Sequence, residues 1–220
     1  MTLIRSNPIF KERRSAWFHQ HVNRKNKSRE EVAAIFRRVD KTANAINEKT
    51  GKNIDAEELY LWVISAMHDY EPEYLQDVDP FQLYDTMESL LWEHIPVLYT
   101  PDTLDTLDKI SQFATISLLS NTGFIKGGTL RNVLRIIGLE PFFQFQLYSD
   151  ETGWSKPNPL FFDLVLQHTA ALYPGRPLLP EEIIHIGDNP VADVEGAKLA
   201  GMTGFLVHHN SNIITDLLNR

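Results

Sequence analysis

A short apolar run, Ile183-Ile184-His185-Ile186, stops at Gly187-Asp188-Asn189-Pro190, and no other stretch constrains the fold of this chain as tightly. Rich in β-branched residues, the run reads as a buried strand of a parallel sheet. Gly-Asp hands the strand over to a loop. Pro190 suits the first turn of a helix, which Val194, Ala197 and Ala200 carry on to Gly201. Two carboxylates, Asp188 and Asp193, therefore stand at the carboxyl end of a strand, where open α/β sheets bind ligands. An evenly weighted alternative makes Asp188 a turn residue and Asp193 a first-turn carboxylate favoured by the helix dipole. The rest of the chain separates the two.

Residues 8 to 95 read as almost purely helical. Asn7-Pro8 is a cap followed by a proline at the first helical position, and Phe10, Arg14, Trp17, Phe18 and His21 follow at helical spacing. Ser28-Arg29-Glu30-Glu31 is a capping box that opens a helix with Val32, Ile35, Phe36, Val39, Ala43 and Ile46 on one face. Gly51 ends that region. Asp55-Ala56-Glu57-Glu58 repeats the start signal, and Asp79-Pro80 begins a fourth helix. Four amphipathic helices with short connections predict a small bundle.

Near Pro96 the pattern changes. Thr100-Pro101 is expected to cap a helix. Ala114 to Leu119 reads as a buried strand ending at Ser120-Asn121-Thr122-Gly123, and the helix after it stops at Gly138. Phe145 to Tyr148 is the next strand, Asp150 to Pro159 a loop, and Leu160 to His168 a helix. The Ile183 strand, its helix, a strand at Gly204 to Val207 and a short helix near Ile213 to Leu218 complete the chain. Strands alternating with helices predict an α/β fold with a doubly wound parallel sheet.

Composition removes several functions. The 220 residues carry a net charge of −8, against nucleic acid as main partner. One basic cluster, Arg24, Lys25, Lys27 and Arg29, falls between two helical patterns and is expected to be a solvated connection. With no cysteine, disulfides and thiolate zinc sites are excluded. No apolar run approaches the ~20 residues of a membrane helix, and the start lacks a secretory core. A cytoplasmic monomer or homodimer is expected.

Three strand ends now carry polar residues: Ser120, Lys156 in the loop after the second strand, and Asp188 with Asp193. Consecutive parallel strands bring them to one sheet edge, and their spacing fits about one βαβ unit each, roughly 30 residues or more. A hydroxyl, an ammonium and a carboxylate pair around one crevice suit a phosphate plus a divalent cation: a hydrogen bond, a point charge, and hard oxygen ligands for Mg²⁺.

These stretches resemble the haloacid dehalogenase (HAD) superfamily of hydrolases. Leu118-Leu119-Ser120-Asn121-Thr122 looks like its second motif and Trp154-Ser155-Lys156-Pro157-Asn158-Pro159-Leu160-Phe161 like its third. Ile186-Gly187-Asp188 through Asp193, then Val194 to Met202, looks like its fourth. The three occur in the family's order between residues 96 and 208. The resemblance implies a Rossmann-like core made of residues 1–7 and 96–220, with residues 8–95 as an inserted C1-type helical cap that closes over the site. It also implies roles. Ser120, helped by the Asn121 backbone, binds the transferring phosphoryl group. Lys156 neutralises phosphate and nucleophile. Asp188 ligates Mg²⁺, with Asp193 as an outer or second ligand. The implied activity is Mg²⁺-dependent hydrolysis of a small phosphorylated metabolite. The rival within the family is metal-free dehalogenation, and a phosphate-binding protein without catalysis is the third possibility.

The family's first motif, a strand ending in D-x-D-x-T or D-x-G-D-T-L, supplies the nucleophilic aspartate. This sequence has no such motif; Thr2-Leu3 resembles its tail. The chain is therefore expected to be a truncated gene product that lacks its nucleophile and its central strand. Ile116 to Leu119 and Ile183 to Ile186 would then face a slot of unpaired backbone, at about 1–3 kcal/mol for each buried orphan.

Remaining candidates carry less. His19 and His21 point to different helix faces. His185 is expected to pack within its strand, and His208-His209 to be a surface pair. Trp17, Trp62 and Trp92 fit bundle-core spacing, whereas Trp154, two before Lys156, is expected to line the pocket. Gly127-Gly128 is no phosphate loop, because the Lys-[Ser/Thr] of a P-loop does not follow.

Overall fold

The computed structural model describes residues 2–207. A two-residue strand, β1 (Ile4–Arg5), pairs antiparallel with β2 (Val97–Leu98), Ile4 opposite Leu98. This pairing ties together the two ends of a helical layer made of α1 (Pro8–His21), α2 (Arg29–Thr50), α3 (Ala56–Met67) and α4 (Pro80–Glu93). The caps are those the sequence predicts. The Asn7 side chain accepts from the Ile9 amide, Ser28 and Glu31 form a reciprocal box, and Asp79 accepts from the amides of Phe81 and Gln82. The apolar stripes of these helices, with Phe18, Phe36, Leu59, Tyr60, Val63, Met67 and Met87, make the largest core cluster, which also takes in Phe124. Trp17 and Trp62 pack against it. Trp92 does not: it is 37% exposed.

The basic connection between α1 and α2 is more than solvated. Lys25 pairs with Glu71 at 2.8 Å and Lys27 with Asp69 at 2.9 Å, pinning it to the connection after α3. Exposed pairs of this kind contribute roughly 0–1 kcal/mol.

Beyond β2 the elements alternate: α5 (Thr103–Ser111), β3 (Ile116–Ser120), α6 (Gly127–Ile136), β4 (Phe143–Tyr148), α7 (Ser149–Thr152), α8 (Pro159–Leu172), β5 (Ile184–Gly187), α9 (Gly196–Leu199) and β6 (Thr203–Leu206). Three sequence expectations shift. Helix α5 opens at Thr103, because Thr100 forms a turn whose carbonyl accepts from the Thr103 amide and hydroxyl. The expected loop after Tyr148 begins with the short helix α7. The helix after Pro190 starts as a wide π-type segment, Pro190–Glu195, before it tightens into α9. His208-His209 and the helix expected at Ile213 to Leu218 lie outside the described residues.

Strand β3 runs parallel to β4, with Ser120 opposite Tyr148, and β5 parallel to β6, with Gly187 opposite Leu206. Among the described residues these are separate two-stranded sheets, and no described strand joins β3 to β5. A second apolar cluster, with Leu119, Leu147, Phe161, Phe162 and Ala197, packs α8 and α9 onto the strands. A third gathers around Leu107, Leu134 and Leu139. The fold is α/β with parallel strand pairs and a helical layer. No helix among the described residues is long and apolar enough to cross a membrane.

Candidate active site

Lys156 is where the polar residues of the strand ends meet. Its backbone is fixed by Asn121, whose side-chain oxygen accepts from the Lys156 amide at 2.8 Å while its Nδ2 donates to the Lys156 carbonyl at 3.0 Å. The chain thus crosses from the end of β3 to the loop before α8 through one amide side chain. The Lys156 ammonium donates to the Leu119 carbonyl at 2.8 Å and pairs with Asp193 Oδ1 at 2.7 Å. Both side chains of that ion pair are buried, with 10% and 7% exposure. Two of the three ammonium N–H groups are so engaged, which leaves one for a further acceptor.

Both oxygens of Asp193 are engaged. Oδ1 also meets His185 Nε2 at 3.2 Å, and Oδ2 accepts from the Asn189 amide at 2.9 Å. Gly187 makes room for it, since a Cβ there would overlap the Asp193 carboxylate. Burial alone would push the Asp193 carboxyl up. The Lys156 ammonium and the hydrogen bonds from His185 and Lys156 outweigh it and hold the group well below the usual carboxylate range. Burial pushes the His185 imidazole below its ordinary value despite Asp193, so His185 meets the carboxylate as a neutral donor.

Ser120 ends β3, and its hydroxyl donates to the Asn121 carbonyl at 3.2 Å. Asp188 follows the last residue of β5, and its Oδ1 accepts from the Thr2 hydroxyl at 3.3 Å. Asn189 caps the segment after it by accepting from the amides of Val191 and Ala192. It also donates to Glu48 of α2 at 2.6 Å.

The structure joins Asn121, Lys156 and Asp193 in one hydrogen-bonded group, with Ser120 at the end of β3 and Asp188 after β5, and three residues have surroundings that the sequence did not give. Asp193, expected as an outer or second metal ligand, faces Lys156, His185 and Asn189, which engage both of its oxygens. Asn121 acts through its side chain, on Lys156. Trp154, expected to line the pocket, packs against the apolar cluster around Phe161 and Phe162, and its backbone bridges to Lys52. Sequence reasoning missed the link from His185 to Asp193, whose only signal is that alternate strand residues face opposite ways. It also missed Asn189 as a cap, although Asn before Pro is a cap signal. Among the described residues no three His, Asp or Glu side chains gather in a metal-holding group. Mg²⁺ is usually held by only one or two carboxylates, with substrate phosphate and water completing its octahedron. Asp188 alone fits that minimal requirement.

A family model described as HAD-hydrolase-like matches residues 153–219, which include Lys156, Asp188 and Asp193. Over those residues the chain is similar to the HAD-like hydrolases. Solved HAD structures share its fold across almost its whole length. The HAD-hydrolase YfnB of Bacillus subtilis, solved bound to magnesium, aligns with a TM-score of 0.66 over 96% of this chain and 86% of that one, at 20% identity. The L-2-haloacid dehalogenase of Xanthobacter autotrophicus, solved with chloropropionic acid covalently bound, aligns at 0.60 over 98% and 77%, at 16% identity. Sequence relatives match a shorter stretch. Haloacid dehalogenase-like hydrolase domain-containing protein 3 of Bos taurus is 38% identical over 78 residues, 36% of this chain and 28% of that protein. The phosphoserine phosphatase of Thermus thermophilus is 40% identical over 65 residues, 30% of this chain and 23% of that enzyme. The chain matches under a third of either relative's length.

Proposed function

We propose that this HAD-like chain carries the phosphate-recognition side of a Mg²⁺-dependent phosphatase acting on a small phosphorylated metabolite. The observation that carries this is the buried Lys156 ammonium. It is anchored by Leu119 and Asp193 and has one N–H left for a phosphoryl oxygen. Ser120 supplies a second donor by turning its hydroxyl from the Asn121 carbonyl. Lys156 holds the phosphoryl charge, and Asp193 aims that ammonium, a positioning role. Asp188 would hold Mg²⁺, which, when bound, neutralises charge on the transferring group. Residues 8–95 act as the cap over a core of residues 1–7 and 96–220, excluding water from the site. Phosphoserine phosphatase activity in the Thermus thermophilus relative supports a phosphomonoester.

The family's aspartate motif is not in this sequence, so the 220 residues are proposed to bind phosphate without turning it over. Calorimetry should find Mg²⁺-dependent binding of inorganic phosphate that Lys156→Met abolishes. Supplying the Asp-bearing strand as an N-terminal extension should start turnover of p-nitrophenyl phosphate with Mg²⁺. Release of halide from 2-chloropropionate by that extended chain, with no phosphatase activity, would establish the dehalogenase reading instead.

A further inference from the structure

Glu48 stands where a carboxylate gains least. It lies two residues before the end of α2, at the negative pole of the helix dipole, which favours cations. Among the described residues no Lys, Arg or His pairs with it. Its partner is a neutral amide: Asn189 Nδ2 donates to Glu48 Oε1 at 2.6 Å. An ionised acceptor makes such a bond shorter and stronger than one between neutral groups.

Every other polar group of Asn189 turns inward on its own loop. The side-chain oxygen accepts from the Val191 and Ala192 amides, both at 2.9 Å. The Asn189 amide donates to Asp193 Oδ2 at 2.9 Å, and its carbonyl accepts from the Asp193 and Val194 amides at 2.9 and 3.3 Å. Among the described residues, the bond to Glu48 is therefore its one hydrogen bond beyond residues 189–194. Asp188 sits between two fixed points. On one side Gly187 belongs to the ladder of β5 with β6, and its carbonyl accepts from the Val207 amide at 2.8 Å. On the other side Asn189 is tied to Glu48. The same end of α2 reaches the Lys156 loop, where the Gly51 carbonyl accepts from the Ser155 amide at 3.0 Å. Glu48 and Gly51 thus connect the loop after β5 to the loop after β4, in strand pairs that no described strand joins.

We infer that Glu48 is a positioning residue for the metal end of the site: by holding Asn189 it fixes the Asp188 carboxylate, so the helical layer sets Mg²⁺ affinity without touching the ion. This rests on the assignment of Asp188 to Mg²⁺. Groups that hold a ligating carboxylate typically carry about 10–100-fold in metal affinity. Mn²⁺ serves as the probe, titrated into the 220-residue chain with the free ion read by electron paramagnetic resonance. Glu48→Ala should weaken Mn²⁺ binding about tenfold. Glu48→Gln keeps an acceptor for Asn189 Nδ2 and should keep most of the affinity. Both variants remove the same charge, so the gap between them measures the hydrogen bond alone. A second readout needs no metal: the Asn189 side-chain amide resonance should move in Glu48→Ala and stay near its place in Glu48→Gln, with circular dichroism and Tm confirming that both variants fold. Equal weakening in the two variants, no weakening in Glu48→Ala, or an Asn189 resonance that Glu48→Ala leaves unmoved overturns the proposal. Asp188→Asn separates the two assignments. If it weakens Mn²⁺ binding while Glu48→Ala does not, the role of Glu48 fails alone. If it leaves Mn²⁺ binding unchanged, the metal assignment fails and the proposal falls with it.

Discussion

At the scale of single residues, Asp193 shows how far a sequence pattern can be read. Two carboxylates five apart at a strand end suggest a pair of metal ligands, and their spacing does bring both to the edge. What the spacing does not contain is Lys156, which arrives from 37 residues earlier and takes Asp193 for itself. Which partner a carboxylate meets is decided by tertiary packing, so the Lys156 partnership was not legible in the spacing. Removing one member of a buried ion pair leaves the other charge uncompensated. Asp193→Asn should therefore cost about 3–5 kcal/mol in urea unfolding, and the double variant Lys156→Met/Asp193→Asn should recover part of that loss. His185 gives a pH signature. Its folded-state pKa lies below the ordinary 6.5, so the unfolded chain binds the extra proton first. Stability should fall as pH drops below about 6.5, and His185→Gln should flatten that slope between pH 7 and 5. Asp193 has the usual sign for a depressed carboxyl. Its contribution is present above 3.8 and is lost only as pH falls below that value.

Elements were read best where the signal is local. Asn7-Pro8, Ser28 with Glu31, and Asp79-Pro80 each start a helix where the sequence says, because a cap needs only residues within one turn. Boundaries moved where a neighbour intervened. Thr100 spends its carbonyl on a turn with Thr103, and the run after Pro190 widens into a π-type segment in which Asp193 meets Lys156 and Asn189. The two ends of α2 make a paired test. Ser28→Ala should cost about 1 kcal/mol by leaving the Glu31 amide without its acceptor. Gly51→Ala should cost more, roughly 1–3 kcal/mol, since Gly51 has φ +66° and a Cβ there would stand 2.7 Å from the Asn158 Cβ. Thermal unfolding of the two variants side by side checks the order.

At the scale of the whole molecule, apolar packing is uneven. Among the described residues the helical layer holds the largest cluster, whereas the strands are served by two smaller ones and by two-stranded ladders. Hydrogen exchange should follow that division. Amides of α2 and α3 should be the most protected, and those of β5 and β6 should exchange through smaller openings; equal protection throughout would mean the clusters unfold as one. The alternation of strands and helices was legible because it is periodic, but the pairing was not, since nothing in a strand's own residues states which neighbour it will find. One feature also sets how the molecule can deform. At the end of α2, the Gly51 carbonyl accepts from the Ser155 amide and the Asn158 side chain, Asn53 binds the Gly153 carbonyl and the Ser149 hydroxyl, and Glu48 holds Asn189. That end is a fulcrum. The 22 residues of α2 form a lever about 33 Å long, so a few degrees of rotation at Gly51 become a displacement of ångströms at its far end, with little change beside Asn189.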